Sequence, residues 1–165
     1  MSLMNRALGM LGMGRPKVAV GGRAPDFTLQ DSDHRSVALR DLLARGPVVL
    51  AFFPKAFTTG CTRELRAYRD QHGALADRGA QLVAISMDDP DTLARFRATL
   101  NAPFIFLSDP EGSVSRRYGG VSAGTSNRIT VTVASDGLVS RVTTGLAAIF
   151  PRGDIEACPV APPSG

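Results

Sequence analysis

Three short hydrophobic stretches, Val48-Val49-Leu50-Ala51-Phe52-Phe53, Gln81 to Met87 and Phe104-Ile105-Phe106-Leu107, constrain the fold of this chain more than any other feature. They are rich in β-branched and aromatic residues and run on without polar alternation, which marks strands covered on both faces. Helical spacing fills the gaps between them. Cys61, Leu65, Tyr68, His72 and Leu75 fall on one helical face, with Arg63, Glu64, Arg66, Arg69 and Asp70 on the others. Asp89-Pro90-Asp91 offers an N-cap, a first-turn proline and a favourable charge for a helix through Leu93, Phe96 and Leu100. Asp109 to Gly112 then turns the chain into a short helix ending near Tyr118-Gly119-Gly120. At the far end, Arg128 to Val133 and Leu138 to Thr143 flank Ala134-Ser135-Asp136-Gly137, a hairpin signal. Asp26 to Leu29 and Ser36 to Leu39 form a second hairpin-like pair at the entrance. Strands alternating with helices and closing on an antiparallel hairpin imply an α/β domain, a mixed central sheet flanked by helices.

The 165 residues suffice for one core and argue against two. We expect one domain over 21–150, with tails at 1–20, which is Gly- and Met-rich, and at 151–165, which is rich in Pro and small residues. The formal charge of +4 raises the question of nucleic acid. Its distribution answers no: the arginines are scattered, Lys17 and Lys55 are the only lysines, and the aromatics do not interleave with the basic residues as a stacking surface requires. No apolar stretch approaches the roughly 18 residues of a membrane span, so no membrane partner is expected and a cytoplasmic setting is. His34, His72, Cys61 and Cys158 lack metal-site spacing, and neither a metal nor a cofactor is implied.

A cysteine that opens a helix has two readings. It packs as a small hydrophobe, the commoner case, or it is a reactive thiol. Thr58-Thr59-Gly60-Cys61 puts the sulfur in the first helical turn, where unpaired backbone N–H groups and the positive end of the dipole favour a thiolate. The strand before it ends where α/β folds place their sites.

Pro54-Lys55-Ala56-Phe57-Thr58-Thr59-Gly60-Cys61 matches Pro-x-x-x-Thr/Ser-x-x-Cys at all three fixed positions, and Phe52-Phe53 precedes it. In this the chain resembles the peroxiredoxins of the AhpC/TSA superfamily. The similarity runs from Gly21 to about Gly137, taking in Ala24-Pro25-Asp26-Phe27-Thr28-Leu29, Leu107-Ser108-Asp109-Pro110 and Tyr118-Gly119. The run Gly60 to Glu64 is most similar to the bacterioferritin-comigratory (PrxQ-like) and AhpE-like branches. One departure is visible: the family's Thr-Phe-x-x-Asp reads Thr130-Val131-Thr132-Val133-Ala134 here.

The resemblance implies a thioredoxin-like fold and a thiol peroxidase. Cys61 would attack a hydroperoxide and become a sulfenic acid, with thioredoxin, glutaredoxin or a small thiol as reductant and a homodimer as the assembly. It implies that Thr58 bonds sulfur and peroxide, a role compatible with a helix N-cap, and that Pro54 walls the pocket, although a proline also simply stops a strand. Arg128 would stabilise the thiolate and orient the peroxide; apart from the resemblance it reads as a surface arginine. Glu64 would hold Arg128, or else be an ordinary exposed helix carboxylate. Glu156-Ala157-Cys158-Pro159 resembles a resolving segment, so Cys158 is either a resolving cysteine or a free thiol in a one-cysteine enzyme, the position five residues after Cys61 being Arg66. Two other classes compete. A thioredoxin-fold binding module needs no intact Pro54, Thr58 and Cys61, and a thiol-disulfide oxidoreductase wants Cys-x-x-Cys where this chain has Thr58.

Overall fold

The computed structural model describes residues 15–144. In chain order the elements are β1 (Thr28–Asp31), β2 (Ser36–Ala38), α1 (Leu39–Leu43), β3 (Val48–Phe52), α2 (Thr59–Asp70), α3 (His72–Asp77), β4 (Gln81–Ser86), α4 (Pro90–Leu100), β5 (Ile105–Ser108), α5 (Ser113–Tyr118), β6 (Val121–Ser122), β7 (Thr125–Ser126), β8 (Ile129–Val133) and β9 (Val139–Thr144). Seven strands form one sheet in the order β2-β1-β5-β4-β3-β8-β9, and β6 pairs with β7 apart from it. The three hydrophobic stretches are the parallel centre, β3 against β4 and β4 against β5. β8 joins antiparallel on the other side of β3, with Phe52 opposite Ile129.

Every residue of β3 and β8 is buried, which explains why β3 shows no polar alternation. Alternate side chains of β3 feed two separate cores. Val49, Ala51 and Phe53 pack with Cys61, Leu65 and Tyr68 of α2 and with Leu93, Phe96 and Leu100 of α4. Val48, Leu50 and Phe52 pack with Leu39 and Leu42 of α1 and with Val114 and Tyr118 of α5. Full burial of a side chain such as Leu50 contributes about 1.5–3 kcal/mol, so the doubly covered strand is firmly held. Among the described residues, no helix is long and apolar enough to cross a membrane.

Local chemistry fixes the boundaries. Asp89 caps α4 by accepting the Thr92 amide at 2.7 Å, a bond that holds its carboxyl below the usual range, and Pro90 follows at the start of the helix. Asn101 ends α4 in the left-handed conformation. The β8–β9 turn closes with the Gly137 amide on the Ala134 carbonyl at 2.8 Å, and Gly137 takes φ +87°, which a side chain would oppose.

Three details differ from the sequence reading. The single helix expected from Cys61 to Leu75 is two, because the chain turns out of helical geometry at Gln71 (φ −107°, ψ 8°), just ahead of the poor helix former Gly73. α1 follows directly on β2, where only a strand was expected; at five residues it is too short to display a period. The stretch expected to be an N-terminal tail is fastened from Lys17 onward: its amide donates to the Tyr118 carbonyl at 2.6 Å, and Val18 packs against the second core.

Candidate active site

The site lies where β3 runs out. Phe53 continues the ladder by donating its amide to the Ile85 carbonyl at 2.9 Å, but Pro54 has no N–H with which to extend it. The chain then passes through Phe57 at φ +65°, left-handed backbone for a bulky residue and a cost on the order of 1–3 kcal/mol. Two contacts hold it there. The Phe57 ring packs on Phe96 with centroids 5.0 Å apart, and the Ala56 amide donates to Asp88 Oδ2 at 2.8 Å.

Thr58 occupies the N-cap position of α2 in extended conformation, and its carbonyl receives the Thr62 amide at 2.9 Å. Its hydroxyl does not cap the helix. It donates instead to the Lys55 carbonyl at 2.8 Å, closing the loop on itself, and Thr58 is exposed. Cys61 is the third residue of α2, inside the first turn as the spacing predicted, and its side chain is fully buried. Pro54 is half-buried beside the loop.

Arg128 arrives from the opposite end of the chain. Because β8 pairs antiparallel with β3, the residue just before β8 comes level with the end of β3, next to the Cys61 helix. Its Nη2 donates to Cys61 Sγ at 3.2 Å, and its Nη1 donates to Glu64 Oε2. One guanidinium thus spans the sulfur and a carboxylate from the same helix turn. Burial opposes the charge on Arg128, but the Coulombic attraction of Glu64 and Cys61 and the hydrogen bonds to both outweigh it, and the pKa of Arg128 shifts upward.

The exposed-carboxylate reading of Glu64 is therefore overturned: it is fully buried, and Arg128 is only 9% exposed. Helical spacing grouped Glu64 with Arg63 and Arg66, away from the face of Leu65 and Tyr68. Arg128, carried in by β8, covers a second side of α2 and buries Glu64 with it. The surface reading of Arg128 falls for the same reason. The structure brings Cys61, Arg128 and Glu64 into contact and puts Pro54 and Thr58 on the loop leading to them. Cys158 lies outside the described residues. His72 is half-buried, its ring 6.4 Å from that of Phe104, and His34 is in a turn with Nε2 2.8 Å from Asp91.

Sequence reasoning missed Asp88. The pair Asp88-Asp89 contains one carboxylate more than the α4 cap needs, and β4 runs parallel to β3, so its end faces the Cys61 loop. That surplus acid was the available signal.

With this geometry in view, comparison with known proteins gives a consistent result. Residues 20–142 match the model of the AhpC/TSA family. A putative chloroplastic peroxiredoxin Q of Oryza sativa subsp. indica is 41% identical over 107 residues, 65% of this chain and 48% of that protein, so the chain spans about half the length of this plant relative. A putative peroxiredoxin of Mycobacterium tuberculosis (strain ATCC 25618 / H37Rv) is 39% identical over 103 residues, 62% of this chain and 65% of that one. Among solved structures, the peroxidoxin BcpB from Mycobacterium tuberculosis superposes with a TM-score of 0.78 at 29% identity, covering 85% of this chain and 96% of its own. The mixed sheet between two helical layers is the thioredoxin-like fold. A family match over most of the described domain, with Cys61 in the first turn of α2 against Arg128, places this chain in the AhpC/TSA family of peroxiredoxins.

Proposed function

We propose that this protein is a thiol peroxidase that reduces hydrogen peroxide or organic hydroperoxides at Cys61. The observation that carries the reading is the 3.2 Å bond from Arg128 Nη2 to Cys61 Sγ, with the sulfur in the first turn of a helix. The guanidinium and the amides that open the helix are donors gathered at the sulfur, where negative charge is handled during the reaction.

In the first half-reaction a sulfur lone pair attacks the peroxide oxygen that bears hydrogen. The S–O bond forms as the O–O bond breaks, and the electron pair leaves with the other oxygen, which takes a proton to give alcohol or water. Sulfur is oxidised by two electrons and the peroxide is reduced by two. Arg128 serves the negative charge that moves along this line. Thr58, whose hydroxyl proton is engaged by Lys55, has oxygen lone pairs left to accept the peroxide's O–H. Pro54 offers no donor to compete for the substrate. A thiol reductant (thioredoxin, glutaredoxin or a small thiol) then attacks the sulfenic sulfur, displaces water, and with a second thiol restores Cys61. A reducing cytoplasm is the setting that supplies such thiols. In this reading Cys158 is either the resolving thiol, forming a disulfide between two copies, or a bystander.

Mass spectrometry of the reduced protein after one equivalent of peroxide tests the proposal. Wild type should gain one oxygen on Cys61, or a Cys61–Cys158 disulfide on a non-reducing gel, and Cys61→Ser should consume no peroxide while keeping its fold. An inert wild type, or turnover in Cys61→Ser, would remove the reading.

A further inference from the structure

Asp88 stands at the end of β4, one strand over from the Cys61 loop, and its surroundings aim it. Its Oδ2 accepts two hydrogen bonds, from the Ser86 hydroxyl at 2.7 Å and from the Ala56 amide at 2.8 Å. Its own amide donates back to Ser86 Oγ at 3.2 Å, and its carbonyl receives the Ser108 hydroxyl, from the end of β5, at 2.6 Å. Asp88 is thus fixed to two central strands, its carboxylate to β4 through Ser86 and its carbonyl to β5 through Ser108. The carboxylate reaches across to the amide next to Phe57, the one residue of the loop in left-handed backbone. A strained loop keeps its shape only where its surroundings over-determine it. Besides Asp88, the Phe57–Phe96 ring contact ties this one to its surroundings, and the Thr58–Lys55 bond closes it on itself.

We propose that Asp88 is a positioning residue for Cys61: its carboxylate holds the Pro54–Thr58 loop, and through it the first turn of α2, in the arrangement that presents the sulfur to Arg128. The inference rests on the peroxidase reading for its kinetic consequence, though not for the clamp itself. Asp88 does not touch the reacting atoms. Its effect is on the fraction of molecules whose sulfur is correctly placed, and small misplacements are costly in rate.

Both bonds fall on the same oxygen, so an amide can replace the carboxylate, and the conservative variant separates clamping from charge. In single-turnover measurements without reductant, Asp88→Ala should oxidise at Cys61 about tenfold more slowly, and Asp88→Asn should recover nearly the full rate. Hydrogen exchange supplies a second readout: the Ala56 amide should lose protection in Asp88→Ala and regain it in Asp88→Asn, while amides in β3 and β4 remain protected. A wild-type rate in Asp88→Ala, or an Asp88→Asn variant as slow as the alanine, overturns the proposal. Should Asp88→Ala not fold, Ser86→Ala keeps the carboxylate but removes the donor that aims it; slower oxidation with faster Ala56 exchange supports the clamp, and wild-type values for both overturn it. If wild type itself proves inert to peroxide, the peroxidase reading falls and exchange alone decides: unchanged Ala56 protection in Asp88→Ala refutes the clamp, and protection lost and then restored by Asn upholds it.

Discussion

Tyr118 on one face of the sheet and Arg128 on the other are both buried groups that keep their protons, yet the first is thereby neutral and the second charged. On the α5 side, the Tyr118 ring stacks on Phe52 with centroids 5.0 Å apart, and its hydroxyl donates to the Pro25 carbonyl at 2.5 Å. Burial raises its pKa, Asp26 adds to the rise, and Arg117 opposes it, so the phenol stays neutral. On the α2 side, burial works against the charge of Arg128 and loses to Glu64 and Cys61. The same sheet therefore supports a dry aromatic anchor on one face and a permanent charge on the other. What separates them is the company kept: a carbonyl for Tyr118, two anionic or anion-forming partners for Arg128.

Removing the charge should do most to erase that difference. Arg128→Ala should slow the reaction of Cys61 with peroxide by about 100-fold, the usual cost of losing a donor to developing charge, as followed by stopped-flow loss of thiol. An unchanged rate would make Arg128 structural. Glu64→Gln leaves the guanidinium but takes away its carboxylate anchor, and about a tenfold slowing is expected from the looser placement; full activity in that variant would show that the sulfur alone holds Arg128. Tyr118→Phe, on the other face, should leave the rate untouched and cost about 1 kcal/mol in urea unfolding for the lost hydrogen bond. It should also alter the alkaline limb of stability. Above the ordinary tyrosine value of 10.0 the unfolded chain releases the phenolic proton while the folded chain retains it, so stability is complete below that pH and falls above it. Tyr118→Phe should remove this part of the fall, and an unchanged alkaline limb would show that Tyr118 does not contribute to it.

Features set by short stretches of sequence were accessible to reasoning from residues. Lack of alternation marked β3 and β4 because both strands are covered twice, and Asp136-Gly137 marked the β8–β9 turn because its backbone needs a positive φ. Pro54, Thr58 and Cys61 stand at fixed spacing within one loop and one helical turn, and their placement follows from that spacing. Glu64 and Asp88 depend on partners 64 and 32 positions away, and no local pattern reports such partners. The helical wheel placed Glu64 on a polar side; only the arrival of β8 turned that side inward. Asp88 drew no reading from the sequence, since its acceptor role depends on β4 lying parallel to β3. Thr58 shows a subtler difference: it stands at the N-cap position, but its hydroxyl donates to the Lys55 carbonyl and accepts no helix amide as a capping side chain would.

The bond between Arg128 and Cys61 joins residues 67 positions apart, and this has a consequence for the protein as it is made. A chain synthesised from its N-terminus at about 5–20 residues per second carries the cysteine for several seconds before its arginine exists. For most of that interval β4 has been made and β8 has not, so Cys61 lacks the guanidinium that meets it in the folded protein. On the peroxidase reading, full reactivity toward peroxide waits for β8 and its arginine, so the nascent chain passes through its most vulnerable period before its sulfur has been fully armed.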